Sequence, residues 1–436
     1  MLTIYTPTIT PRIAFIMDVV FKEHLNIAYR LTESVADFDN AELKISYALQ
    51  PLAGEVFIWQ HPLLMESEIR EQTIDSGLFD GEITFFQSAH DRSFISFDIF
   101  SFSFFLLSRY EEYLPHRKDK YGRFAATESV AYRFGFLQKP LVDIVVLKFA
   151  KKLQEAIPGL KLQPSDLPEY LATYDIDNAY AYKYKGLVRS LGGLSKLAIR
   201  FKWGEAIERI AVLMNLKKDP FDTYEYIQSL QQRYDLDTYY FILFAEKDKH
   251  DRGLSPDNKH FHRLLKQLDE TAKVGSHPSF ASHLDKEKQR KEITGLSSVL
   301  QKEITFCRSH FLLLDFPETY RGFIENGMVA DFTLGYADQV GFRASTCKPF
   351  YFFDLSSGRE TSLRIYPFSY MEETLKVYMR LSGEEGLEVI KKLIDQVKSV
   401  NGVFISLWHN ENFEKRGWHG WKKVYEQSLD YFFANR

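Results

Sequence analysis

The stretch Tyr170-Leu-Ala-Thr-Tyr-Asp-Ile-Asp-Asn-Ala-Tyr180 runs from β-forming apolar residues into two carboxylates, Asp175 and Asp177, separated by one residue. A strand has a side-chain period of two, so both acids point to the same face. Like charges that close repel, and either one acid takes a proton or a cation sits beside them. Taken alone, Asp-x-Asp-Asn after a strand is equally ordinary turn chemistry.

Downstream of this stretch the chain alternates strand and helix. Strands are predicted at Leu171–Tyr174, Thr238–Ala245, Val274–His277, Thr305–Leu314, Met328–Phe332, Leu363–Tyr366 and Gly402–Trp408. Helices are predicted at Thr223–Tyr234, His260–Thr271, Lys286–Lys302, Pro317–Asn326, Glu384–Val400 and Trp421–Phe433, with a helical insertion over Gly186–Leu216 broken at Gly192-Gly193. Such alternation calls for parallel strands covered by helices, as a barrel or an open sheet, with ligands at the C-terminal ends of the strands.

Upstream, strands are expected at residues 2–6, Leu43–Leu49 and Val56–Gln60, and helices at Pro11–His24, Asp98–Tyr113 and Pro140–Ala156. The Pro-rich segment Gly159–Glu169 reads as a boundary. It divides an N-terminal α/β or α+β domain (1–160), which offers no catalytic constellation, from a second domain at 168–436.

With 436 residues, 45% hydrophobic and 15% aromatic, the chain can bury more than one core. A net charge of −4 without an evident polybasic block argues against nucleic acid and against recruitment to an anionic membrane. Cys307 and Cys347 are too few for a disulfide framework and suit a reducing compartment. The start, Met1-Leu-Thr-Ile-Tyr, lacks the pattern of a signal peptide, and no apolar run is long enough to span a bilayer. A cytoplasmic location without a membrane span is expected.

Chemistry-bearing residues gather at the predicted strand ends: Asp175 and Asp177, His277, Arg308 and His310, Asp331, and His409. Any one of them has a structural explanation, but five strand ends carrying such groups make the parts of a metal-assisted hydrolase. A carboxylate and histidines hold a divalent cation. A second carboxylate serves as base toward water, and a histidine on another strand protonates the leaving group. The loop candidates Tyr336, Asp338 and Arg343 suit either a substrate groove or a structural loop, and Trp408 suits either stacking on a sugar ring or core packing.

The motifs Thr173-Tyr-Asp-Ile-Asp177, Gly275-Ser-His277, Arg308, the stretch at Asp331 and Leu407-Trp-His409 resemble, in that order, the five motifs of the polysaccharide deacetylases, carbohydrate esterase family 4. The resemblance covers roughly residues 168–430 and is similar to bacterial proteins that join an uncharacterised N-terminal domain to a deacetylase-like one. It implies a distorted (β/α) barrel of fewer than eight strands and hydrolysis of an N-acetyl or O-acetyl group on a sugar or glycan precursor. It further implies Asp175 as general base, Arg308 tuning it, His409 as general acid, and Asp177 and His277 as ligands of a divalent metal, with zinc the expected ion. A substrate pocket is implied at Leu407, which receives the acetyl methyl, together with Tyr174, Asp331, Tyr336, Arg343 and Trp408. The family's second motif carries another histidine four residues on, where this chain has Ala281. The third ligand is then His283 or His310. Without one, the barrel is a carbohydrate-binding or scaffold protein. A glycoside hydrolase using two acids, Asp175 and Asp331, is a further alternative.

Overall fold

A computed structural model describes residues 1–52, 55–162, 167–186, 191–192, 195, 197 and 199–434. In the N-terminal part, strands β1 (Leu2–Tyr5), β2 (Tyr29–Thr32), β3 (Lys44–Ala48) and β4 (Val56–Trp59) form a parallel sheet in the order β2-β1-β3-β4. β5 (Ser76–Phe79) and β6 (Glu82–Phe85) pair as a hairpin around Asp80-Gly81, both at positive φ. Alternating apolar residues are sparse in β2, β5 and β6, and the sequence reading passed over them. The aromatic helix Ile99–Leu107 is entirely buried and capped by Asp98, which accepts from the N–H groups of Phe100 and Ser101. It stops short of the expected Tyr113 because Arg109 takes a left-handed conformation, φ 54°.

Among the described residues the second part is built on nine strands: β7 (Glu169–Ile176), β8 (Asp237–Ile242), β9 (Lys273–Ser276), β10 (Phe306–Cys307), β11 (Ala330–Asp331), β12 (Phe350–Asp354), β13 (Arg359–Ile365), β14 (Tyr370–Met371) and β15 (Val403–His409). Their order is β12-β13-β11-β10-β9-β8-β7-β15-β14, and only β12 runs antiparallel to its neighbour. The α/β architecture is the expected one. The count exceeds the expected number because β12, an antiparallel edge strand, and β14, a two-residue pairing with no periodic sequence to mark it, have no expected counterpart; β10 and β11 fall inside expected strands but pair over two residues each. Of the insertion expected over 186–216, the described helix is Trp203–Leu213; Gly193 lies outside the described residues.

The sheet curls strongly. β8 and β11 are three spacings apart, about 14 Å if flat, yet the rings of Phe241 and Phe332, at their C-terminal ends, are 5.2 Å apart. Period-two alternation sorts the residues. Leu171, Phe241, Ile405 and Leu407 fill the interior with Phe332 and Phe368, whereas Tyr174, Tyr240, Val274 and Trp408 belong to the larger core that packs the helices outside. The end strands β12 and β14 do not pair with each other among the described residues, so the barrel is distorted and open.

The larger core is continuous across the two parts. Phe15 and Phe104 from the N-terminal part each pack a ring 5.1 Å from Phe353 on β12. Gly341, at φ 125°, lies where a Cβ would collide with the Leu137 backbone. Buried charges also cross the seam. Arg343 donates to Glu112, which also accepts from Arg109, and Arg109 pairs with Glu111. A buried pair broken from one side leaves an uncompensated charge. Arg343→Ala is therefore expected to lower the unfolding free energy by about 3 kcal/mol or more, read from the urea midpoint; a loss within about 0.5 kcal/mol, the scale of an ordinary surface substitution, would show that the seam does not need this network.

Candidate metal centre

Asp177 follows β7 directly, His277 follows β9, and His310 lies three residues beyond β10. The curl brings one donor atom of each within 4.8 Å of the others. Nε2 of His277 is 3.2 Å from Asp177 Oδ1, and Nε2 of His310 is 3.3 Å from Oδ2. Asp177 Oδ1 is buried and accepts no hydrogen bond. His310 reaches inward because the chain turns sharply after it, with Phe311 and Leu312 both at positive φ. This turn cuts the expected strand over Thr305–Leu314 short, to Phe306–Cys307.

The other ring nitrogens are already engaged. Nδ1 of His277 donates to the Arg308 carbonyl at 2.6 Å, and Nδ1 of His310 donates to Asp251 at 2.8 Å. Each Nε2 is thereby turned to the centre as a lone-pair donor, the arrangement that orients histidine ligands in metal sites. Asp251 is itself held by the backbone N–H groups of Phe280 and Ala281. Burial would raise the Asp177 carboxyl, but His310, His277 and His409 outweigh it and hold it well below the usual range. Burial would likewise lower His310, but Asp177 and Asp251 push it up to about 9. The field that draws a proton onto His310 also draws a divalent cation, and one carboxylate with two imidazoles is a donor set suited to zinc with positions left open.

Around this centre sit two further groups. Asp175 is buried and accepts from Arg308 Nη1 at 2.8 Å, while its Oδ2 lies 3.7 Å from His277 Nε2. Arg308 also donates to the Phe332 carbonyl and lies over the Phe241 ring. Across the rim, His409 Nδ1 is 2.8 Å from Glu372 and its Nε2 is 3.8 Å from Asp177. Burial opposes charge on His409, yet Glu372 and Asp177 raise its pKa well above the ordinary imidazole value. Asp251 and Glu372 were missed from the sequence. The available signal was their place, one in the loop after β8 and one directly after β14, at the same rim as the histidines.

Several sequence-derived candidates lie elsewhere. His283 pairs with Asp315 at 2.8 Å, because Ser279 and Ser282 are tied to buried Glu292 and the loop closes before His283 can turn in. Tyr174 and Trp408 alternate to the helix-facing layer, where they bond Tyr425 and Tyr370. Tyr336 and Arg343 are consumed by the charged seam with Arg109 and Glu112. Asp331 is buried and accepts from Tyr320 and Thr333. Leu407 does face the barrel interior. A half-buried aromatic wall flanks His310: Phe311 lies against it, followed by Phe280, His250 and, from the N-terminal part, Tyr121.

A family model described as a family of unknown function, DUF7033, matches residues 2–158. Among solved structures the chain is similar to a protein of Mycobacterium smegmatis assigned as a polysaccharide deacetylase, at 11% identity and TM-score 0.40, over 62% of this chain and 86% of that one. A protein of Pseudomonas aeruginosa PAO1 with the same assignment gives 9% identity and TM-score 0.38, over 61% and 84%. A polysaccharide deacetylase of Bacillus cereus gives 10% and 0.29, over 60% and 87%. No curated protein matches the chain.

Asp331 provides a check on this placement. Burial, against its hydrogen bonds from Thr333 and Tyr320, raises its pKa to about 6. An acid with a raised folded pKa contributes its full stability below the unfolded value and loses it as pH rises through the folded one. The wild type should therefore lose up to about 3 kcal/mol relative to Asp331→Asn between about pH 4 and pH 6. Parallel stability curves for the two proteins over that range would contradict the burial of an acid at this position.

Proposed function

We propose that the site hydrolyses an acetyl group, N-linked in the first instance, from a sugar or glycan precursor in the cytoplasm. The observation that carries the reading is the convergence of Asp177, His277 and His310, flanked on one side by the Asp175–Arg308 pair and on the other by the His409–Glu372 pair. A divalent ion, zinc by its donor set, would supply a Lewis acid that polarises the acetyl carbonyl and acidifies water.

The chain's own groups do the rest. Arg308 fixes Oδ1 of Asp175, which leaves Oδ2 to accept the proton of the attacking water. Glu372 orients His409 through Nδ1, so the proton delivered to the leaving nitrogen is held on Nε2. Leu407 and its neighbours in the interior suit the acetyl methyl. The aromatic wall of Phe311, Phe280 and Tyr121 suits the face of a sugar ring. The reading as a carbohydrate-binding barrel without chemistry rested on Ala281, and His310 supplies a third donor in its place. A two-acid glycosidase is not supported by Asp331, whose oxygens are bonded inside the fold.

Two measurements test the reading. Zinc-loaded protein should release acetate from a chitooligosaccharide, and Asp175→Asn should slow release by about 100-fold or more with metal content unchanged. Wild-type protein that holds metal and releases no acetate from N- or O-acetylated sugars would defeat the reading. Glu372→Ala should lower kcat about tenfold or more with little change in KM, as expected of a group that positions His409. A change in KM alone would instead place Glu372 in substrate binding.

A further inference from the structure

His310 stands at the start of a strained turn. Phe311 and Leu312, directly after it, have φ of 61° and 56°. Two successive left-handed residues that carry β-carbons are unfavourable, and such a conformation persists only where its surroundings over-determine it. The barrel fixes the two ends of the turn. The His310 N–H donates to the Pro278 carbonyl at 2.9 Å and its Nδ1 donates to Asp251. The Leu312 side chain is buried in the barrel interior, and its N–H donates to the Ser309 carbonyl at 3.0 Å. The middle of the turn is held from the other part of the chain: the Phe311 carbonyl accepts from Arg123 Nη1 at 3.1 Å.

The setting of Arg123 fits it to this contact. Its side chain is 7% exposed and lies in a tight hairpin closed by pairing of Lys118 with Phe124. Asp119 Oδ1 accepts from the N–H groups of Tyr121 and Arg123, and its Oδ2 accepts from Arg123 Nε at 2.8 Å. The guanidinium is thereby aimed across the seam, with Nη1 on the Phe311 carbonyl and Nη2 3.4 Å from the Tyr378 hydroxyl. Lys118, at the base of the hairpin, pairs with Asp315 of the barrel, and Tyr121, near its tip, sets its ring 5.1 Å from that of Phe311. Separate donors in a rigid plane for separate acceptors are what an arginine supplies and a lysine does not.

We infer that Arg123 is a positioning residue for His310, so that the N-terminal part completes the metal centre of the second part. By fixing the Phe311 carbonyl it keeps the strained turn closed and His310 Nε2 aimed at Asp177. Without that bond the turn relaxes toward ordinary backbone and the imidazole loses its aim. The inference rests on Asp177, His277 and His310 being a metal centre, and not on which group is hydrolysed there.

Zinc affinity of the full-length protein is read by competition with a chelator, and ligand geometry from the visible spectrum of the cobalt-substituted protein. Arg123→Met should weaken zinc binding by about tenfold or more and shift the cobalt bands. Arg123→Lys keeps the charge beside Asp119 but loses the fork, and should weaken zinc by about threefold or more, so the outcome does not depend on one variant folding. In a Phe311→Gly background, where glycine takes a positive φ without strain, Arg123→Met should change zinc affinity by less than about twofold. Equal losses in both backgrounds would mark a general loss of packing at the seam and overturn the inference. So would unchanged zinc affinity in both Arg123 variants. Wild-type protein that binds no zinc would remove the metal centre and the inference together, whereas zinc loss in the variants of a wild type that releases no acetate would uphold the inference and defeat the proposed reaction alone.

Discussion

Four carboxylates, Asp175, Asp177, Asp251 and Glu372, crowd one rim of a curled sheet, and each needs positive charge beside it. Buried anions are tolerated only when paired or coordinated. Arg308 answers Asp175, His409 answers Glu372, and His310 answers Asp251 through one ring nitrogen. Asp177 is left with imidazole nitrogens on either side and an oxygen that accepts no hydrogen bond. The geometry around that oxygen is what makes the rim a candidate metal centre instead of an acidic cluster held by salt bridges alone.

Curvature makes the arrangement possible. Arg308 lies beyond β10 and Asp175 on β7, three spacings apart, and only a trough closes that gap to 2.8 Å. The interior of Phe241, Phe332, Phe368 and Leu407 sets the radius. The N-terminal part braces the outside through Phe15 and Phe104 on β12 and through Glu112 on Arg343, and it sends Tyr121 to the wall beside His310.

The long, periodic elements of the second part were legible, because β7, β8 and β15 alternate cleanly and their ends carry the polar groups. The two-residue β14 was not, since so short a pairing leaves no pattern, and β10 and β11 were expected longer than the two residues that pair. That Asp175, Asp177, His277, Arg308, His310 and His409 share one rim was legible for the same reason as the strands. Tyr174 and Trp408 were misplaced because adjacency in sequence to Asp175 and His409 means the opposite face in a strand. Asp251 and Glu372 were invisible because second-layer carboxylates have no spacing rule; only the folded rim brings them to the histidines. The different placement of His283 and His310 lay in the same category, set by the Ser279, Ser282 and Glu292 bonds that close the loop short of the candidate centre.

The most direct test is metal content of purified protein set against two single substitutions. Wild type should hold about one zinc per chain. His310→Ala should weaken zinc affinity by about 100-fold or more, and His283→Ala should leave it unchanged. Zinc lost from His283→Ala and retained by His310→Ala, or no metal in any of the three, would contradict the centre described for Asp177, His277 and His310.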